Sequence, residues 1–227
     1  MLIYGEKRYP FEPVVFNSQN PQWRPFVVDL AGESDLFYGE NILRLEPSHI
    51  VMGSKGLNLF FEKLEKKLRN KSYTSIVFFN LSLFSYKVLS HYRRREGEKA
   101  GIYAFDFTKF VVGRAISFSY QTDMPDRVYF SSFAKKTSQV DEITGEERDV
   151  FTPALGRKTL DLLIPRFNFI GFFIHIEGEP FIFFKTKTGK VLVKDPLGRL
   201  GKEKADLGLL EQKISEILKE RSNEAHT

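Results

Sequence analysis

From position 41 onward, apolar residues fall into short runs that switch between two periods. NILRL (41–45) reads as a short strand, and LNLFFEKLEKKLRN (57–70) puts Leu57, Phe60, Phe61, Leu64 and Leu68 on one helical face. SIVFFNL (75–81) is a nearly continuous β-rich apolar run, as expected of a strand buried on both sides. SLFSYKVLSHYRRREGEKAG (82–101) predicts a second helix with Phe84, Val88, Leu89 and Tyr92 inward. IYAFDF (102–107) then alternates as a strand again. The resulting β-α-β-α-β order over 41–110 predicts a right-handed, at least partly parallel sheet.

The flanks differ in character. The first 40 residues carry prolines and glycines among alternating aromatics, as in RYPFEPVVF and PQWRPFVV, and read as edge strands or an extended arm laid over the body. After 110, VVGRAISFSYQ (111–121) and DRVYFSSFAKK (126–136) read as paired strands joined by TDMPD. DEITGEERD (141–149) lacks apolar periodicity and reads as a mobile surface loop. RKTLDLLIPRF (157–167) has Leu160, Leu163 and Ile164 at helical spacing and is stopped by Pro165. FIGFFIHI, FIFFKT and VLVKD, with turn residues between them, predict a three-stranded antiparallel meander. ADLGLLEQKISEILKERS (205–222) closes the chain as an amphipathic helix with Leu207, Leu210, Ile214, Ile217 and Leu218 inward. The expected fold is therefore α/β (α+β): an arm over 1–40, a β-α-β-α-β unit with a mixed sheet over 41–110, and an α+β unit over 111–227 packed on it as one globular body.

Composition narrows the function classes. With 227 residues the chain is long enough for a full core, and 42% hydrophobic and 28% charged residues are those of a soluble globular protein. The 23 phenylalanines have no polar handle, so they belong in a core or on a surface that meets a partner. A formal net charge of +5 leans towards acidic partners. Zero cysteine excludes disulfides, thiolate zinc sites and a cysteine nucleophile. MLIYGEKRYPFEP has no apolar core after its charges, and the longest apolar stretch, FIGFFIHI, is too short to cross a bilayer. A cytoplasmic protein without membrane insertion is expected.

Two basic stretches are candidate anion sites. In HYRRREGEK (91–99), Arg93, Arg94 and Arg95 fall in the last turn of the predicted helix, with Gly97 where a left-handed cap belongs. Cations there complement the helix dipole without any ligand, and equally could grip phosphate. VMGSKGLNL (51–59) carries Gly53, Ser54, Lys55 and Gly56, a strand-to-helix turn whose free amides and lysine suit an anion. The same residues resemble the core of KH nucleic-acid-binding domains, where an apolar pair, a G-x-x-G loop with a basic residue and an apolar residue three further on join two helices. That resemblance implies a phosphate-backbone clamp by the loop amides and Lys55, with Leu59 behind. It departs from the family in that Pro47 to Gly53 is short for the preceding helix. Neither G-x-x-x-x-G-K-[ST] nor G-x-G-x-x-G occurs.

ENILRL, helix, SIVFFNLS, helix, IYAFDF is similar to the strand-helix order of STAS-type regulatory domains. The family's D-S-S-G segment is absent, with FSYK at 84–87, so the resemblance bears on fold class alone.

Catalytic signatures are few. His49, His91, His175 and His226 are the only histidines, and none is spaced with another for a metal, so no metal or cofactor is expected. Strand alternation places His175 and Glu177 on one face, where they could share a proton. Asp106, at the end of the predicted strand 102–107, would face a ligand crevice with Lys109. No G-x-S-x-G elbow is present. Two readings follow. One is a non-catalytic regulatory or interaction protein that binds a protein partner or itself through aromatic-rich surfaces. The other is a nucleic-acid-binding protein that contacts phosphates near 53–56 and 91–99.

Overall fold

The computed structural model describes residues 1–5, 18–32, 41–69, 72–140, 145, 147–186 and 190–224. In chain order the strands are β1 (Leu2–Gly5), β2 (Pro25–Asp29), β3 (Ile42–Arg44), β4 (Ser75–Phe79), β5 (Arg127–Val140), β6 (Glu147–Pro153), β7 (Ile170–Ile176), β8 (Glu179–Phe183) and β9 (Lys202–Lys204). The helices are α1 (Pro47–Val51), α2 (Gly53–Leu68), α3 (Leu81–Glu96), α4 (Ala100–Phe118), α5 (Arg157–Leu163) and α6 (Leu207–Glu224). The protein is a mixed α/β fold whose mostly parallel sheet runs β3-β2-β4-β5-β1-β7-β8-β9, with β6 paired to β5. Its residues form two compact units, one of Arg24–Phe133 and Pro153–Phe167, the other of Met1–Trp23, Ala134–Thr152 and Asn168–Thr227.

In the first of these units, β2 runs parallel to β3 on one side and to β4 on the other, and β4 runs parallel to β5. FVV of β2 and SIVFF of β4 are buried throughout because both faces of an interior parallel strand are covered. α2 buries Leu57, Phe60, Phe61, Leu64 and Leu68, the five residues its periodicity selects. Phe61 meets Phe60, Phe78, Phe110 and Phe118, and Phe78 stacks on Phe130 at 5.2 Å. The β-α-β-α-β order of this region is present, but its closing strand lies further along the chain.

IYAFDF and the following VVGRAISF, expected as strands, together form α4. Over its whole length the buried positions Ala100, Ala104, Phe107, Thr108, Val111, Val112, Ala115 and Phe118 recur at helical spacing, which overrides the local alternation of six residues. The strand that closes the unit is β5. Residues 1–40, expected as an edge or arm, contain β1 and the interior strand β2; Pro25 stands at the first position of β2, where a missing ladder donor is tolerated.

In the second unit, β1 runs parallel to β7, and β7, β8 and β9 pair antiparallel in turn. Glu177 and Gly178 both have positive φ, +54° and +85°, and close the β7-β8 hairpin as a two-residue turn. The third strand of the meander is Lys202–Lys204; VLVKD, expected in that place, makes only isolated bridges, Val191 to Phe151 and Lys194 to Ile170. Part of the expected loop 141–149 is strand β6, where Asp149 pairs with Lys136 and the Val150 carbonyl accepts from Thr137. Residues 141–144 and 146 lie outside the described residues. α6 buries Leu207, Leu210, Ile214 and Ile217, while Leu218 is exposed.

Candidate functional site

The strand order of the first unit defines where a ligand site belongs. From β2 the chain passes to β3 on one side, and from β4 it passes to β5 on the other. Adjacent strands whose connections diverge leave a crevice outside their carboxyl ends. Leu30, Ala31 and Gly32 follow β2 there, and Asn80 and Leu81 follow β4.

Local chemistry holds both ends open. The Asp29 carboxylate is fully buried and accepts the Ala31 and Gly32 amides at 3.1 and 2.8 Å, with Arg44 Nε at 3.7 Å, so it fixes the turn. Asn80 adopts a left-handed conformation (φ 69°), uncommon for a non-glycine residue. Its amide donates to Ser131 Oγ, and the Phe133 amide donates to Ser82 Oγ, which ties the start of α3 to β5. The buried Asn80 Oδ1 has no hydrogen-bond partner among the described residues.

A cavity of about 130 Å³ opens beyond the carboxyl ends of β2 and β3, lined by Leu30, Ala31, Leu45, Pro47, Ile50, Val51, Lys87 and His91. Lys87 and His91 are one turn apart on α3 and so share a face. Lys87 Nζ donates to the Ala31 carbonyl at 2.5 Å. His91 Nε2 is buried with no hydrogen-bond partner among the described residues. Beside the cavity, Val51 and Met52 are exposed (54% and 46%), and Leu59 lies seven residues beyond Met52 with 44% exposure. Met52, Lys55 and Leu59 stand at i, i+3, i+7 and form a stripe along the outer face at the start of α2.

The two basic stretches meet here. Gly53, at φ +67°, leaves room for the Tyr92 hydroxyl, which lies 3.7 Å from the position a Cβ would occupy. Tyr92 stacks on Tyr103 at 4.2 Å, nearly coplanar, and meets the edges of Phe107 and His91. Burial, then Tyr103, push the Tyr92 phenol above its ordinary pKa, against a smaller opposing pull from Arg95.

GSKG itself is the first turn of α2, with Ser54 and Lys55 exposed. α1, which precedes it, is only five residues long, short for the helix that the KH-like pattern calls for. Gly56, however, has a packing role, since a Cβ there would sit 2.1 Å from the His49 carbonyl oxygen. His49 is likewise structural: its Nδ1 accepts the Glu46 amide at the start of α1, and its ring meets Phe60. Arg93, Arg94 and Arg95 are exposed in the last turn of α3, and Gly97 caps it at φ 54° with its amide on the Arg93 carbonyl. The third strand of the STAS-like order, IYAFDF, is helix.

Asp106 and Lys109 are exposed on the middle of α4, away from any strand end, because 102–107 is helical. His175 is half-buried on β7 with its ring against Phe173, and Glu177 is exposed in the hairpin turn, which takes it off the strand face expected for it. Asp106 and Lys109 belong to one compact unit, His175 and Glu177 to the other. His226 lies outside the described residues. None of the described phenylalanines is exposed, so the aromatic excess builds the interior. Among the described residues no cluster of three or more potential ligands could hold a metal, and no helix is long and apolar enough to cross a membrane.

Lys87 and His91 escape sequence reasoning because the cavity they line depends on β2 being an interior strand. The available signal is PFVVDLAG, an apolar run ending in Asp and Gly, obscured by the prolines before it. Comparison of the sequence with protein-family models and with curated proteins finds no match.

Proposed function

We propose that the protein is a cytoplasmic regulatory or interaction protein without a catalytic role, docking a protein partner or a second copy of itself through the start of α2. The carrying observation is the exposed Val51, Met52 and Leu59 around Lys55, beside the Tyr92–Tyr103 pair. Exposed apolar side chains next to aromatic rings and a cation are the composition of an interface centre. The test is sedimentation over a wide concentration range together with pull-down, for the native protein and a Met52→Asp/Leu59→Asp variant. Self-association or partner capture that falls about tenfold or more in the variant supports the reading. A strictly monomeric protein that captures nothing overturns it.

A second reading, nucleic-acid binding, is favoured by the Tyr92 hydroxyl lying 3.7 Å from where a Cβ on Gly53 would stand, which puts the start of HYRRREGEK near GSKG. Lys55, Arg93, Arg94 and Arg95 would then contact phosphates and the tyrosines would stack on bases. It predicts fluorescence polarisation with single-stranded RNA or DNA that collapses between about 50 and 200 mM salt and weakens on Lys55→Glu. Binding indifferent to both excludes it.

A further inference from the structure

The stripe that begins with Met52, Lys55 and Leu59 continues along α2. Glu62 and Lys66 follow Leu59 at i+3 and i+7, so five exposed residues recur at alternating spacings of three and four, opposite the buried Leu57, Phe61, Leu64 and Leu68. This is the spacing at which one helix meets another. Its charges are uncommitted: Lys55, Glu62 and Lys66 make no ion pair among the described residues, whereas Glu65, the other acid of α2, is held by Arg69. The order of signs then selects an occupant. A positive charge stands one turn before Leu59 and a negative charge one turn after it. A two-fold axis beside Leu59 sets an identical helix antiparallel, bringing Lys55 opposite Glu62 of the second copy and Glu62 opposite its Lys55. The same operation lays Leu59 on Leu59 and Met52 along the methylenes of Lys66. Lys63, which flanks the stripe, falls opposite Ser54 and not opposite another lysine. A parallel pairing would set Lys55 on Lys55 and Glu62 on Glu62, and a uniformly acidic partner would meet Glu62 in the middle of the stripe. Both place like charges in contact, which is unfavourable.

We propose that the outer face of α2 is a self-association surface, which pairs antiparallel with α2 of a second copy about Leu59 and exchanges Lys55 and Glu62 as two ion pairs. The proposal deepens the docking function and rests on it for the use of this surface, while it commits the occupant to a second copy. One helix face buries less than the roughly 1,600 Å² of a standard interface, so the dimer is transient and forms at high concentration.

Sedimentation of the full chain from about 1 μM to about 1 mM tests it. The native protein should pass from monomer to dimer. Lys55→Glu and Glu62→Lys should each weaken dimerisation by about tenfold or more, since each turns both ion pairs into like-charge contacts. An equimolar mixture of the two variants should restore dimerisation to near the native strength, because one chain then carries acids at both positions and the other carries lysines at both. Each substitution lies on the exposed face, and Lys55→Glu adds an acid to the first turn of α2, where it complements the helix dipole, so both variants should keep the native circular dichroism. Restoration in the mixture excludes unfolding as the cause of the loss. A native protein that stays monomeric throughout, variants that dimerise as the native does, or folded variants whose mixture stays monomeric overturn the pairing. If Met52→Asp/Leu59→Asp abolishes self-association while both charge variants keep it, docking through α2 stands and the antiparallel pairing falls. If the native protein is monomeric yet captures another protein through Leu59, docking stands and the second copy is excluded as its occupant.

Discussion

Single atoms decide several positions in this fold. The buried Tyr4 hydroxyl donates towards the Phe151 and Leu192 carbonyls, both at 2.9 Å, and burial raises its pKa far above the ordinary 10.0. Below that pH the phenol is neutral folded or unfolded, so its contribution is fully present. Above it, the unfolded phenol loses its proton while the folded one keeps it, so stability falls as pH rises. Tyr4→Phe should cost about 1–2 kcal/mol at neutral pH. It should also remove this group's share of the alkaline loss, up to about 1.4 kcal/mol per pH unit. Urea melts at several pH values from neutral to above 10 check both.

A pair of glycines makes an equally sharp contrast. Gly56→Ala drives a Cβ into the His49 carbonyl and should cost about 1–3 kcal/mol. Gly113→Ala, inside α4 with only Arg166 Nη1 at 4.0 Å, should gain about 0.5–1 kcal/mol in the same measurement. GSKG thus shows a limit of motif reading: its spacing was visible, but only the crossing of α1 and α2 reveals that one of its glycines is there for steric reasons.

At the level of elements, the ends of helices carry much of the specificity. Asp206 precedes α6 and accepts the Leu209 amide, and it also accepts Ser18 Oγ at 2.5 Å and the Gln19 amide at 2.7 Å. Asp206→Ala should therefore exceed the loss of an ordinary cap and approach about 2 kcal/mol or more. Amide exchange at Gln19 and at the first turn of α6 should accelerate together; an effect confined to α6 would show that the second tie contributes little. Helices with one apolar face, α2 and α6, were legible because their burial follows the 3.6-residue period. α4 was not, since its residues 102–107 also fit a strand and its exposed side carries apolar Ile102 beside Asp106 and Lys109, which blurs the helical period.

For the molecule as a whole, exchange protection should follow sheet position. β2 and β4 have partners on both sides and buried faces, so the amides of Val27, Val28, Ile76 and Val77 should exchange only on global opening. β9, which among the described residues pairs with β8 alone, should exchange much faster. Comparable rates in β9 and β2 would contradict this ordering.

The sequence by itself determined the α/β class, the faces of α2 and α6, the cap at Gly97 and the β7-β8 hairpin, because each depends on periodicity or turn chemistry within about twenty residues. Only the tertiary structure decided that β2 is an interior strand, that 102–118 is one helix, and that Tyr92 lies beside Gly53 while Lys87 and His91 line a cavity with residues that follow β2 and β3. Those outcomes depend on which strands lie side by side, and strand order is set by packing between segments far apart in sequence, for which a local pattern carries no signal.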